Sequence, residues 1–269
     1  MCPTTGGTDC PCPTTADGCC PSAVPVTPLS TFDVCIVGAG PHGLAVLSAL
    51  RAKQIGSNRP EPRVCVIDPI GVWMHEWDAS FKALGISFLR SPAWAHPDAC
   101  CQEAMVDFAK REGRTSDWKD VDFQGTSLEG MSKTAAGYYK NPSTKLFKDF
   151  CDDLISNLPH HLLRGSVVDI IKSSPAAGGS SHTYEVMYES QAKALCKISA
   201  THVVLALGAR GCASVPAPFS SLMADYEGRV VHSSDVCRLE SIASKLCTDD
   251  TMLVIGGGLS AAQVLNLYN

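Results

Sequence analysis

The segment that most constrains this chain is a glycine-spaced turn between an apolar strand and an apolar helix. Residues 32–37 are mostly apolar, which predicts a short parallel strand buried on both faces. Gly38, Gly40 and Gly43 follow at GxGxxG spacing, and residues 44–50 have the composition of a buried helix. In this motif the glycines permit a tight turn, let a pyrophosphate approach the backbone and let the helix pack on the strand. The free N–H groups of the helix N-terminus also attract phosphate. The pattern predicts a dinucleotide site.

An acidic residue follows the next strand and supports this interpretation. Residues 63–67 form a second apolar run that ends at Asp68, where a carboxylate can accept the ribose hydroxyls of an adenine dinucleotide. Asp68 lies farther from the first glycine than the ~20 residues of the usual fingerprint. The polar residues 53–62 account for the excess as a loop. A strand–turn–helix without a ligand is the alternative, and the order of strand, glycines, helix and acid disfavours it.

The composition argues against several classes of binding partner. The chain has 269 residues, of which 45% are hydrophobic, enough for one large domain or two modest ones. Its net charge is −5 and it contains no dense Lys/Arg run, so neither nucleic acid nor an anionic membrane is expected as a partner. The longest apolar stretch, residues 34–50, is broken by Gly, Pro and His, so no membrane span is predicted. The composition says nothing about oligomeric state.

The N-terminal region and the cysteines indicate the compartment. Residues 1–29 are rich in Pro, Thr, Gly and Cys and are predicted to be a disordered tail without zinc-site spacing. The first 50 residues contain no Lys or Arg and no apolar signal segment, so a cytoplasmic location is expected. The 14 cysteines are then mostly reduced thiols, and Cys35 and Cys65 are expected to be small core residues.

Two helices and an aromatic segment are predicted in the middle of the chain. Residues 69–97 contain three of the four tryptophans, which could line a flat ring system or pack the core beneath a loop. Asp98 is expected to cap a helix that continues to Arg111, and residues 112–142 are expected to be a loop or surface insertion. Ser143 is expected to start a second helix, over residues 144–158.

Strands dominate the next part of the sequence. Three strand-like segments predict an antiparallel meander, with a loop between the first two over residues 175–181; the segments are 166–172, 184–189 and 194–199. A further buried strand is predicted over residues 202–207, followed by Gly208.

A second glycine signature lies close to the last residue of the sequence. Residues 251–255 are predicted to be a strand, followed by Gly256-Gly-Gly-Leu-Ser-Ala in GxGxxA form and a helix over 259–268. A lone strand and helix cannot bury their own apolar faces. We therefore expect an incomplete second nucleotide-binding unit, as in a chain truncated at its C-terminus.

Taken together, the motifs resemble the two-dinucleotide-binding flavoproteins. Within them the sequence looks most like the flavin-dependent N-hydroxylating lysine/ornithine monooxygenases, over about residues 31–269. The branch-level similarity lies in Ile86-Ser-Phe-Leu-Arg90 and in Gly228-Arg-Val-Val-His-Ser-Ser-Asp235. The resemblance implies an α/β fold with a Rossmann-type FAD-binding domain over residues 30–248, which carries helical and meander insertions. Residues 249–269 would begin an NAD(P)-binding Rossmann domain.

The same resemblance implies two cofactors, FAD and NADPH. In the family NADPH reduces the flavin, which then uses O₂ to hydroxylate an amine or another soft nucleophile on a small-molecule substrate. The residues that would contact the FAD pyrophosphate are Gly38, Gly40, Pro41, His42 and Gly43. Asp68 would hold the ribose, the backbone of Val168 the adenine, and Leu89 and Arg90 would lie near the isoalloxazine. Gly208 is assigned to the FAD site, and Gly256, Gly258 and Ser260 to the NADPH pyrophosphate.

The implied roles leave catalytic residues unassigned and several functions open. His42 departs from the pattern, because such motifs commonly have a small residue there. The first hypothesis is an FAD- and NADPH-dependent monooxygenase, or an inactive piece of one. A disulfide reductase of the same superfamily needs a redox CxxC pair, and the sequence has none. A non-catalytic flavin-binding regulator that resembles the oxidative-stress growth inhibitors is the third hypothesis.

Overall fold

A computed structural model describes residues 30–55, 57, 58, 60–119, 140–173, 182–208, 213–226, 228–235, 239, 241, 242, 244–247 and 249–268. The predicted tail over residues 1–29 and the predicted loop over 175–181 lie outside these residues, as does most of the predicted insertion over 112–142.

Seven strands are described, and five of them form a closed barrel. The strands are β1 (Ser30–Val37), β2 (Val64–Asp68), β3 (Trp118–Lys119), β4 (Asn141–Pro142), β5 (His161–Ser173), β6 (Thr183–Ser190) and β7 (Leu195–Leu205). Four parallel strands follow the order β5–β2–β1–β7. This is the 3-2-1-4 order of a Rossmann sheet. β6 pairs antiparallel with both β5 and β7, which closes the barrel, while β3 and β4 form a separate short ladder.

The structure gives bounds for six helices. They are α1 (Pro41–Gln54), α2 (His75–Ala83), α3 (Ala104–Arg111), α4 (Thr144–Ser156), α5 (Ala217–Asp225) and α6 (Leu259–Tyr268). The predicted cap of α4 is confirmed, because the Ser143 side chain accepts the Leu146 N–H at 3.0 Å. No helix among the described residues is both long and apolar enough to span a bilayer.

The core has two parts because β1 and β2 are buried on both faces. Val34 and Ile36 of β1, with Val66 of β2, pack against the helices on the outer face. Cys35 and Cys65, which are register partners, point into the barrel and pack with strands β6 and β7. The continuous apolar runs therefore reflect burial of these strands on both faces, as predicted. The predicted core positions of both cysteines are also confirmed.

Two predicted strands differ in the structure. The segment 202–207 is not a separate buried strand, because β7 runs without a break from Leu195 to Leu205 and pairs with β6 and then β1. Leu205 and Leu207 are 59% and 62% exposed. The predicted strand over residues 251–255 forms no ladder, since no described strand lies beside it.

The helix predictions need two corrections. Asp98 does not cap the helix that ends at Arg111, because α3 begins at Ala104 with Glu103 in the N-cap position. Asp98 instead lies in an earlier turn, where its carboxylate accepts the Cys100 N–H at 2.7 Å. The aromatic segment 69–97 contains α2, which was not predicted. Its N-cap, Met74, lacks the capping side chain that would mark a helix start.

Candidate dinucleotide-binding site

The turn over residues 38–43 lies at the carboxyl edge of the parallel sheet. The Gly38 N–H donates to the Ile67 carbonyl at the end of β2 (2.8 Å). The Ala206 N–H, just beyond β7, donates to the Val37 carbonyl at the end of β1 (2.8 Å). The turn is therefore held between β2 and β7. Ligands of open α/β sheets bind at this edge, where the strand order reverses.

Gly38 and Gly43 are required by contacts within the protein. Gly38 has φ +109°, a conformation that side chains rarely adopt, and a Cβ there would overlap the Ala206 carbonyl oxygen. A Cβ on Gly43 would overlap the Gly38 carbonyl oxygen and contact Ile36 at 3.5 Å. Gly43 thus lets α1 approach the turn closely, as the motif predicted.

No contact within the protein explains why residue 40 is glycine. Its φ of −95° is accessible to any residue, and a Cβ built there meets no protein atom within 4 Å. Neither backbone conformation nor packing therefore requires glycine at this position. The open space beside the Gly40 backbone matches the close approach that a pyrophosphate makes in this motif.

The N-terminus of α1 opens onto the same space. Gly40 is the N-cap, Pro41 occupies the first helical position, and no side chain caps the helix. The first backbone bond of the helix is from the Leu44 N–H to the Gly40 carbonyl, at 3.0 Å. The N–H groups of His42 and Gly43 thus have no partner within the helix, and the His42 side chain is exposed. Such a terminus favours an anion.

Asp68 touches the glycine turn directly. Its Oδ2 accepts the Ala39 N–H at 3.1 Å, while its Oδ1 accepts the N–H groups of Ile70 (2.9 Å) and Gly71 (3.1 Å). The side chain is half-buried. The carboxylate therefore lies beside the glycine turn, and both of its oxygens already accept hydrogen bonds from backbone N–H groups.

Sequence reasoning missed two residues that shape the turn. The Met74 N–H donates to the Ala39 carbonyl at 2.8 Å, and Met74 is fully buried with φ 62°. A left-handed methionine carries no sequence signal. The contact between Ala206 and the turn could have been inferred from the Leu-Ala-Leu-Gly208 end of β7.

Backbone hydrogen bonds join the predicted flavin-lining segment, residues 86–90, to the start of α4. The Leu89 N–H donates to the Pro142 carbonyl (2.9 Å), and the Thr144 N–H donates to the Ser87 carbonyl (2.8 Å). Leu89 is buried in the core beneath the helices, whereas Arg90 is exposed. The arginine thus remains available for a ligand, while the leucine side chain is committed to packing.

Two of the three tryptophans in the aromatic segment pack the core, and the third is exposed. Trp73 is buried, and its Nε1–H donates to Nε2 of His160 at 2.9 Å. Trp77 stacks on Phe81, with ring centroids 4.2 Å apart. Both therefore pack the core, and only Trp94 of the three is exposed.

Two further residues assigned to the FAD site lie beyond the ends of the parallel pairing. Val168 is 56% exposed at an irregularity in the β5–β6 register, between Val167 and Asp169. The preceding residues Arg164, Gly165 and Ser166 lie inside β5. Gly208 is exposed with φ 67°, and a Cβ there would meet no protein atom within 4 Å.

The second glycine signature is exposed. Gly256 has φ 123°, and no protein atom lies within 4 Å of a Cβ built at Gly256 or Gly258. Ser260 is exposed in the first turn of α6. The glycine–helix half of the predicted motif is present, and its strand is missing.

Two of the buried cysteines have thiol pKa values above the usual range. A hydrogen bond with Cys35 and burial both raise the pKa of the Cys65 thiol, and burial raises the pKa of Cys151. These thiols therefore stay protonated inside the core. Within the ranges that the structure describes, no group of three or more His, Cys, Asp or Glu could hold a metal.

Comparison with solved structures defines the fold class as that of the FAD/NAD(P) Rossmann-type flavoproteins. The chain superposes on the ornithine hydroxylase PvdA from Pseudomonas aeruginosa with a TM-score of 0.61 and 20% identity, covering 88% of this chain and 51% of that one. For the reduced form of the same enzyme the TM-score is 0.54 and the identity 17%, with 78% and 46% of the two chains covered. This chain thus spans about half the length of these structures. The predicted fold class is confirmed.

A family comparison gives the more particular resemblance. Residues 136–268 match the family model of L-lysine 6-monooxygenase/L-ornithine 5-monooxygenase. The match contains the meander and the second glycine signature, and the first signature precedes it. No curated protein matches the chain. The recognition made from the motifs is confirmed: this chain resembles the lysine/ornithine monooxygenases.

Proposed function

We propose that this chain binds FAD at the turn over residues 38–43 and forms the flavin-binding part of an NADPH-dependent, N-hydroxylating monooxygenase. The observation that carries the proposal is Gly40, which neither φ nor packing requires to be glycine. A phosphate that must approach the backbone closely does require it. The family resemblance over residues 136–268 supports the reaction class.

The residues of this turn would act on the cofactor through their backbone. The N–H groups of His42 and Gly43 would donate to the pyrophosphate, aided by the positive end of the α1 dipole. Gly38 and Gly43 would keep the turn narrow, and the open face of Gly40 would admit the phosphate. When bound, the reduced flavin supplies the activation of O₂ for transfer of one oxygen atom to a nucleophilic substrate.

The remaining assignments belong to the same proposal. Residues 30–248 would be the FAD-binding domain, and residues 249–269 would begin the NADPH-binding domain. Gly256, Gly258 and Ser260 would meet the NADPH pyrophosphate, which fits an exposed glycine segment at the N-terminus of α6. Arg90 would face a ligand. An amine on a small molecule, such as a lysine or ornithine side chain, would be the substrate.

The first experiment measures FAD binding by the full chain carrying Gly40→Ala. The added methyl occupies space that no protein atom uses, so the melting temperature should stay within about 2 °C of the wild type, while the FAD dissociation constant rises by about tenfold or more. Gly257→Ala is the matched control. It makes the same change where a Cβ also meets no protein atom, in the other glycine signature, and FAD affinity should not change. Unaltered FAD binding in Gly40→Ala would contradict the proposal.

The second experiment tests the reaction. FAD-loaded protein that joins this chain to a complete NADPH-binding domain should oxidise NADPH and convert the side-chain amine of ornithine or lysine to a hydroxylamine, detected by mass spectrometry. Bound FAD without NADPH oxidation would favour the non-catalytic flavin-binding alternative. Failure of the wild-type chain to bind FAD would exclude both.

A further inference from the structure

The hydrogen bonds of Asp68 conflict with the role that the fingerprint assigns to it. An ionised carboxylate has about four lone-pair sites. Asp68 uses three of them for the N–H groups of Ala39, Ile70 and Gly71. A ribose presents two adjacent hydroxyls, and a carboxylate that grips both needs one free acceptor site for each. The site that remains free serves one hydroxyl at most.

The backbone of Ala39 lies at the centre of these contacts. It is buried, its N–H is held by Asp68, and its carbonyl is held by the Met74 N–H. Asp68 is the last residue of β2 and Met74 is the N-cap of α2, so the two partners flank the short connection between these elements. Ala39 is flanked by Gly38 and Gly40. Hydrogen bonds to its N–H and its carbonyl therefore fix the two peptide groups that join it to these glycines of the phosphate-binding turn.

Met74 shows that the connection is constrained on its own side. A non-glycine residue at φ 62° costs on the order of 1–3 kcal/mol and persists only when its surroundings hold it there. The side chain of Met74 is fully buried among the residues of the outer core. The surrounding core therefore holds the end of the connection in place, and Asp68 links the start of the connection to the turn.

We propose that Asp68 is a positioning residue, which fixes the phosphate-binding turn through the Ala39 N–H and does not select the adenosine ribose. The inference deepens the proposed function and rests on it. It predicts that loss of the carboxylate weakens every ligand that carries the pyrophosphate. The loss should be the same whether or not the ribose hydroxyls are present.

The decisive experiment compares two ligands on two proteins. ADP and 2′,3′-dideoxy-ADP are titrated calorimetrically into the full wild-type chain and into Asp68→Asn. The asparagine oxygen can still accept the N–H groups of Ile70 and Gly71, but its NH₂ is a donor and cannot accept the Ala39 N–H. We expect both ligands to lose affinity by a similar factor, about tenfold, with an unchanged ratio between them. A ratio that favours ADP by tenfold in the wild type and disappears in Asp68→Asn would overturn the inference, as would unchanged affinity for both ligands.

Asp33→Asn is the matched control. The Asp33 carboxylate also accepts a backbone N–H, that of Arg63 at 2.7 Å, but at the opposite end of the same two strands. The change should leave the affinity for both ligands as it is in the wild type. An equal loss in Asp33→Asn would show that the effect is general destabilisation and would overturn the inference. If Asp68→Asn does not fold, Asp68→Ser replaces it, because a hydroxyl can still accept from the 70–71 turn.

A measurement without ligand separates this inference from the proposed function. Hydrogen exchange of the Ala39 amide should be faster in Asp68→Asn than in the wild type, whereas exchange in α4 should be equal in the two proteins. Equal exchange at Ala39 would overturn the positioning role even if FAD binds. A wild-type chain that binds neither FAD nor ADP would refute the proposed function, and the exchange rates would still decide whether Asp68 holds the turn.

Discussion

At the scale of single residues, the three motif glycines have different physical reasons. Gly38 and Gly43 are needed because side chains there would collide with backbone oxygens, whereas Gly40 borders open space. The sequence pattern treats all three alike. Only the structure shows that two of them maintain the turn and that one leaves room for a ligand.

The first prediction concerns stability in this turn. Gly43→Ala and Gly38→Ala should each lower the free energy of unfolding by about 2 kcal/mol, because the methyl group must displace backbone. Urea unfolding measures the loss. Gly40→Ala, by contrast, should be neutral or slightly stabilising, since it restricts the unfolded chain without a clash. A loss in Gly40→Ala as large as in Gly43→Ala would contradict the geometry.

The second prediction concerns the hydrogen bond between Trp73 and His160. His160→Leu leaves the buried indole N–H without its acceptor and should cost about 1–3 kcal/mol in urea unfolding. His182→Leu, at an exposed position, should cost much less. In a Trp73→Phe background the donor is absent, so His160→Leu should cost less than in the wild type. Additive losses would show that the bond does not contribute.

At the scale of elements, an ion network joins the α3–β3 connection to α4. The Arg114 guanidinium contacts Asp149, and its Nη2 lies 2.6 Å from Asp117. Burial alone would raise the pKa of Asp149, but hydrogen bonds from Lys145 and Arg114 outweigh it, so this pKa lies below its usual value.

The third prediction follows from the sign of this shift. A carboxyl group with a lowered folded-state pKa stabilises the protein above its unfolded pKa of about 4, and the contribution disappears as pH falls through the folded value. Arg114→Gln should therefore cost about 1 kcal/mol or less at pH 7, and its difference from the wild type should shrink below pH 4. Urea midpoints measured between pH 7 and pH 2 follow this change. Arg111→Gln, on an exposed side chain, is the control. A difference that does not shrink between pH 7 and pH 2 would contradict the assignment.

Elements whose signal is local were predictable from the sequence. β1, β2, α1 and α4 follow from apolar runs, glycine spacing and a serine cap, and each lies where expected. The unbroken β7 was not predictable, because its two halves pair with different strands and pairing is a non-local property. α2 begins at a left-handed methionine, and no helix-start pattern describes that. In the site, the positions of the glycines and Asp68 were predictable, and the partners of the Asp68 carboxylate were not.

At the scale of the whole molecule, the last helix packs against an early turn of the chain. Gln263 of α6 donates to the Leu84 carbonyl at 2.6 Å, and Leu267 lies against Gly85. Val264 is the buried residue of this helix. The contact joins segments that are far apart in sequence.

The fourth prediction tests this packing. Val264→Asp places a charge in the buried contact and should release α6, so that its amides exchange much faster while those of β1 and β2 keep their protection. Leu265→Asp, on the exposed side of the helix, should leave α6 protected. Hydrogen exchange with mass spectrometry distinguishes the two variants. Equal protection of α6 in both would mean that Val264 does not hold it.

The closed ring of β1, β2, β5, β6 and β7 has a consequence for association between molecules. Exposed strand edges are templates on which a second chain can add a strand, and such addition leads to sheet-mediated dimers or aggregates. In this ring β6 pairs with residues 165–173 of β5 and with residues 195–200 of β7, so these edges are covered within the chain. Residues 161–164 of β5 and 202–205 of β7 pair with one strand each, so a second copy could continue the sheet only along short segments such as these.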